Sequence, residues 1–186
     1  MQNQVGYGSN DVRKKIEDYS YGLKDMIGRG FSSVVYRGTN DKTKEKVAIK
    51  VIDIRQIQGR PEKKMLEGEI EALKKLNHPC ILKCHDIFST ANNCYIITEF
   101  CNEGDLENLL KKREKLSEEE ALPIIREFIM GFINIAESGF LHRDLKPANI
   151  LLKDKSVKIA DFGFAKRVTS NPKETVNVGS PLYMSP

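Results

Sequence analysis

The chain has 186 residues, of which 40% are apolar and 30% charged. That length suits one domain or two small lobes and buries roughly 70% of the unfolded surface, and the balance excludes a disordered or fibrous chain. Lys plus Arg total 30 against 26 Asp plus Glu, a net charge of +4, which gives no reason to invoke nucleic acid or an anionic membrane. No apolar run approaches the ~20 residues of a spanning helix, and the polar Met1–Asn10 lacks the apolar stretch of a signal peptide. Cys80, Cys84, Cys94 and Cys101 form no CxxC pair. They read as reduced packing thiols of a cytoplasmic protein rather than zinc ligands or disulfides.

Residues 1–20 are polar and read as a loose extension. Gly22–Ile27 and Val34–Tyr36 are strand-like runs on either side of Gly28-Arg29-Gly30, a turn signal. Lys46–Ile54 is a third strand, rich in β-branched residues. Pro61–Leu76 reads as a helix, because Met65, Leu66, Ile70, Leu73 and Leu76 recur at three and four. His78-Pro79 ends it, since proline restricts the residue before it. Ile81–Phe88 and Cys94–Phe100 are two further strands. The second half turns helical. Asp105–Lys115 is short and amphipathic, and Ser117 to Glu120 has capping-box spacing ahead of a long helix to about Ser138. Pro123 lies past the first turn of that helix, so a kink or a late start is expected. Ile150–Leu152 and Val157–Ile159 are short strand-like runs. A β-rich half joined near 100–104 to a helical half is an α+β arrangement with a cleft between lobes, where ligands usually bind.

Several residues in this frame can carry chemistry. Gly28-Arg29-Gly30 lets the backbone approach a phosphate closely, although a glycine pair in a hairpin is also an ordinary turn. It is not the dinucleotide fingerprint, because no helix follows. Lys50, between apolar neighbours on a strand, either meets a counter-charge or reaches solvent at an edge; Glu69 on the next helix is a candidate partner. His142-Arg143-Asp144-Leu145-Lys146-Pro147-Ala148-Asn149 gathers an acid, cations and an amide on one loop. Asp144 can accept a hydroxyl proton, Lys146 can neutralise phosphoryl charge, and Asn149 can offer oxygen to Mg²⁺. Asp161-Phe162-Gly163 adds a charged metal ligand or is a surface turn.

GRGFSSVV, VAIK with Glu69, HRDLKPAN, DFG and GSPLYMSP occur in this order over Tyr21 to Pro186. The set resembles the eukaryotic protein kinases, in a two-lobe fold. The resemblance implies an N-lobe over 21–100, a partial C-lobe over 101–186, and ATP with Mg²⁺ as cofactors. It implies that Ile27, Gly28, Arg29, Gly30 and Ser33 cover the phosphates, while Val35, Ala48 and Leu151 line the adenine. Lys50 would bind phosphates and pair with Glu69. Thr98 matches the gatekeeper, and Glu99 and Cys101 match the hinge whose backbone bonds adenine. Asp144 would orient and deprotonate a substrate hydroxyl beside Lys146, and Asn149 and Asp161 would hold the metal. Cys84, Leu73, Phe162 and His142 match one apolar stack between lobes; Val35, Ala48, Leu106 and Leu151 match the other. Lys146 after Asp144 is similar to the serine/threonine branch, with Ser180 meeting both. ADFGFA and GSPLYMSP resemble most the autophagy-initiating kinases and their neighbours.

Three departures from the pattern stand out. Ser33 replaces the third glycine, with Phe31 one place early. Val176 occupies the usual phosphorylated position, with Thr175 and Thr169 displaced from it. Pro186 falls one residue before the expected glutamate of the Ala-Pro-Glu motif, so the resemblance implies further helices after it. The long helix carries Ile125, Phe128, Ile129, Phe132, Ile133 and Ile135, apolar around much of its girth. Without partners it is expected to expose an apolar patch that aggregates or binds another surface. The 186 residues alone are accordingly expected to be poorly soluble and nearly inactive on peptides. The alternative reading is a non-catalytic ATP-binding or interaction module.

Overall fold

The computed structural model describes residues 12–30, 32–57, 59–168 and 178–184. The first half is a six-stranded antiparallel sheet in the order β1-β2-β3-β4-β6-β5. Its strands are β1 (Arg13–Ile16), β2 (Tyr19–Arg29), β3 (Ser33–Asn40), β4 (Lys46–Asp53), β5 (Cys84–Ser89) and β6 (Asn93–Glu99). Alternation in β4 divides its residues between two cores. Val47 and Ile49 pack with Tyr19, Tyr21 and Ile97 in one, while Ile52 packs with Cys94 and Ile96 in the other. The helix α1 (Arg60–Lys75) covers the second face through Ala72, Leu73 and Ile70. Pro61 in its first turn, Glu62 beside it and Lys74-Lys75 in the last turn suit the ends of a helix dipole.

Residues 13–20 are not a loose extension. Arg13, Lys14, Lys15 and Ile16 pair with Gly22, Tyr21, Ser20 and Tyr19. Tyr19 is 5% exposed and its hydroxyl bonds Asp86 across the sheet. The polar Arg-Lys-Lys run masks a strand because β1 is an edge, where charged side chains face water and discourage pairing with another chain. Val12 and residues 13–20 therefore belong with the sheet.

The second half is built on α2 (Leu106–Arg113) and α3 (Glu118–Glu137), with β7 (Phe140–Leu141), β8 (Ile150–Lys153), β9 (Ser156–Ile159) and β10 (Lys166–Arg167). α3 does not start late. Ser117 and Glu120 form a reciprocal capping box that fixes the helix start before Pro123 is reached. Buried Ile135 packs with Phe140, Ile159 and Phe162 in the same core as α1, so that core runs through both halves. Leu106, Leu109, Ile124 and Phe128 close over Ile150, Leu152 and Val157. The outer side of α3 stays open, with Ile125 51% and Ile129 47% exposed. No helix among the described residues is long and apolar enough to cross a membrane. All four cysteines are free thiols.

Candidate active site

Antiparallel register brings four of the expected residues to one face of the sheet. Val35 lies opposite Lys50, and Ala48 opposite Thr98. Directly paired residues share a face, and so do residues two apart. Val35, Ala48, Lys50 and buried Thr98 therefore line the side that meets α1. The glycine turn lies at the end of the β2–β3 hairpin, where Gly28 pairs with Val35 and Arg29 with Val34. The Gly30 amide donates to the Ser33 carbonyl at 2.8 Å, a tight turn that Ser33 closes. Ile27 sits beside it, 51% exposed. Phe31 lies outside the described residues.

Lys50 extends from this face to the Glu69 carboxylate, Nζ to Oε1 at 2.6 Å, and lies 3.6 Å from Asp161 Oδ1. The edge-lysine reading is thereby excluded. Burial presses the ammonium towards neutrality, but Glu69 and Asp161 outweigh it and hold the pKa above the ordinary lysine value. Asp161 comes from the lower half, so the lysine joins the two lobes. Asp161 is also held at φ +60°, and Arg143 at +68°, a left-handed conformation that non-glycine residues adopt rarely and mostly under constraint.

The loop between β7 and β8 concentrates the remaining groups. His142 is buried, lies tilted against Phe162 with ring centroids 5.0 Å apart, and faces the Ala160 carbonyl through Nε2 at 3.0 Å. Its Nδ1 accepts the Asp144 amide, so Nε2 carries the proton and the ring is neutral. Burial lowers its pKa further below 6.5. Asp144 Oδ1 accepts from the Ser180 hydroxyl at 2.8 Å and from the Ser180 amide at 2.9 Å. Lys146 Nζ stands 2.8 Å from Asp144 Oδ2 and donates to Ser180 Oγ at 2.7 Å. Burial works against the Asp144 charge, but hydrogen bonds from Lys146, Ser180 and Asn149 hold its pKa below the ordinary value. Gly179, at φ +117°, makes this approach of Ser180 possible.

Asn149 is buried and gives both amide hydrogens to Asp144, one to the backbone carbonyl at 2.8 Å and one to Oδ2 at 2.9 Å. Its amide oxygen is thus turned away from Asp144. That oxygen and the half-exposed Asp161 carboxylate are hard oxygen donors, the type that Mg²⁺ takes. Leu151 follows on β8 and bridges to Asp105, while Cys101 is half-buried after β6, where burial pushes its thiol up to about 12. Arg143 donates through Nε to the Phe164 carbonyl at 2.8 Å. Thr169, Thr175 and Val176 lie outside the described residues.

The side chain of Glu99 was not singled out by sequence reasoning. Its buried carboxylate accepts from the Lys83 amide at 2.9 Å and from Lys153 at 2.8 Å, with Lys158 at 3.3 Å. Burial raises its pKa, but the Lys153 hydrogen bond, the Lys83 amide and both ammonium charges more than reverse this. The two lysines lie on β8 and β9, so the cluster ties the end of the sheet to the lower half. Lysines on a short hairpin carry no sequence sign that they converge on an acid over fifty residues away.

The protein kinase domain family matches residues 21–186. Myosin light chain kinase A of Dictyostelium discoideum is 35% identical over 170 residues, 89% of this chain and 57% of that protein. The serine/threonine-protein kinase atg1 of the same organism is 37% identical over 182 residues, 93% of this chain and 27% of that protein. Human serine/threonine-protein kinase ULK1 is 36% identical over 195 residues, 98% of this chain and 18% of that protein. The chain thus spans between about a fifth and just over half of these relatives. Identity to myosin light chain kinase A is near that to atg1 and ULK1. With the family match extending over residues 21–186, the chain belongs to the protein kinase domain family.

Proposed function

We propose that the chain carries ATP-dependent transfer of the γ-phosphoryl group to serine or threonine hydroxyls of proteins. The observation that supports this most is the meeting of Lys50 from the sheet with Asp161 from the lower half at 3.6 Å. It brings a cation suited to phosphate together with a carboxylate suited to a metal. Phosphoryl transfer asks a protein mainly for positioning and electrostatic stabilisation. Gly28, Arg29, Gly30 and Ser33 cover the phosphates beside Ile27, and Val35, Ala48 and Leu151 enclose the adenine. Thr98 would lie behind it, and the backbone of Glu99 and Cys101 would bond its edge. Lys50, held by Glu69, takes the α- and β-phosphates. Asn149 and Asp161 would hold Mg²⁺, and the ion would supply neutralisation of phosphate charge.

Asp144 remains ionised at neutral pH and orients the substrate hydroxyl. Ser180 shows what the pair of Asp144 and Lys146 does with an aliphatic hydroxyl: one accepts from it and the other donates to it. Relatives described as serine/threonine kinases support the same acceptor class. A cytoplasmic location belongs to the proposal and rests on four free thiols.

The second reading, a non-catalytic nucleotide-binding or interaction module, is favoured by the apolar residues that α3 leaves exposed. Binding and transfer assays separate the two. Mg·ATP at about 100 times its Kd stabilises the folded chain by about 2.7 kcal/mol, or roughly 5–10 °C in Tm. Lys50→Met is expected to remove most of that shift. In the full-length protein, Lys50→Met and Asp144→Asn should each cut transfer to a serine-containing protein by about 100-fold or more. Nucleotide binding without any transfer selects the module, and unchanged transfer by either variant overturns the kinase assignment.

A further inference from the structure

We propose that Gly68, the residue before Glu69, is a positioning residue. Its missing side chain sets how closely α1 approaches the segment after Gly163, and hence whether Glu69 reaches Lys50. Gly68 stands in the interior of α1 (Arg60–Lys75), where glycine is less stable than alanine. A methyl group there would lie 2.8 Å from the Ala165 carbonyl oxygen and 3.9 Å from its carbon. That oxygen belongs to backbone and cannot swing aside. Ala165 is 4% exposed and its amide is bonded to the Phe162 carbonyl at 2.8 Å. Space for a methyl group therefore comes only from moving the helix or the segment.

The same segment touches α1 at neighbouring points. Ala72, one turn on from Gly68, is fully buried in the core that holds Phe162 and Ala165. Glu71 pairs with Arg167 at 3.2 Å on the exposed rim of the contact. Glu69 Oε2 lies 3.8 Å from where a methyl on Gly163 would stand, while Oε1 meets Lys50 at 2.6 Å. Glu69 is thus held between the segment and Lys50. A helix displaced by a few tenths of an ångström at Gly68 carries Glu69 with it, and a short charge-assisted hydrogen bond is sensitive to such a shift. Lys50 faces two acidic groups, Glu69 and Asp161, so loss of the first leaves a more weakly held ammonium.

The test is the reactivity of Lys50 towards acetic anhydride at fixed pH, read by mass spectrometry, in the wild-type chain, Gly68→Ala, Glu69→Gln and the double variant. Each single variant should raise the Lys50 rate several-fold, and the double variant should add nothing further, since both remove one ion pair. The Tm of Gly68→Ala should fall by about 3 °C or more, against the rise that helix propensity alone gives. A raised Tm with unchanged Lys50 reactivity overturns the proposal, and so do effects that multiply in the double variant. Should Gly68→Ala not fold, Glu71→Gln loosens the same contact at an exposed position; faster Lys50 labelling supports the proposal and an unchanged rate overturns it. Labelling needs no phosphate transfer, so a failure here is distinct from a failure of the kinase reading.

Discussion

Glu99 shows how much a single side chain does between the lobes. Its carboxylate pairs with both Lys153 and Lys158, and removing it takes an ion-pair partner from each. Breaking a buried pair in this way costs about 3–5 kcal/mol. Lys153 is a third exposed, which puts Glu99→Gln near the lower end, about 3 kcal/mol in chemical denaturation at pH 7. The pH dependence has a definite sign. The native pKa of Glu99 lies below its ordinary 4.5, so its contribution is complete above pH 4.5 and is lost as pH falls through the depressed native value. His142 acts earlier. Its native pKa lies below 6.5, so the unfolded chain gains a proton first and stability begins to fall below pH 6.5. The gap in stability between wild type and Glu99→Gln should be flat from pH 7 to 5 and close at still lower pH. A gap that is unchanged at pH 3 would contradict the charge as its source.

Elements differ in how far local sequence dictates them. α3 is fixed at its start by Ser117 and Glu120, whose reciprocal bonds satisfy two free backbone donors. Ser117→Ala should destabilise by about 1 kcal/mol, with the loss visible in thermal unfolding. A neutral effect would mean that packing of Ile135 and Phe128 alone fixes the helix. β1 is the opposite case. Its Arg-Lys-Lys run has no apolar alternation, and only pairing with Tyr19–Gly22 makes it a strand. α1 combines both: its apolar period was legible, while the reason for Gly68 became visible only against Ala165.

At the scale of the whole molecule, the exposed side of α3 decides solution behaviour. Leu122, Ile125, Ile129, Met130, Phe132 and Ile133 are each between 44% and 55% exposed, a contiguous apolar surface of the kind that associates or aggregates. The chain should bind a fluorescent apolar dye when folded, and Ile125→Lys with Ile129→Glu should raise its solubility several-fold without lowering Tm by more than about 2 °C. Unchanged dye binding in that pair of variants would place the sticky surface elsewhere.

Local sequence by itself determined the kinase motif order, the α+β division and the periods of α1 and α3. Those rest on spacing along the chain and on side-chain chemistry that needs no distant partner. For Lys50 the sequence alone left a counter-charge or solvent open, and the pairing with Glu69 came from the family resemblance. Tertiary structure alone decided that residues 13–20 join the sheet, that Glu99 gathers two lysines from β8 and β9, and that Asp161 reaches Lys50. Each of these depends on contacts between residues far apart in sequence, whose energies come from burial and exclusion of water, and no local pattern records them.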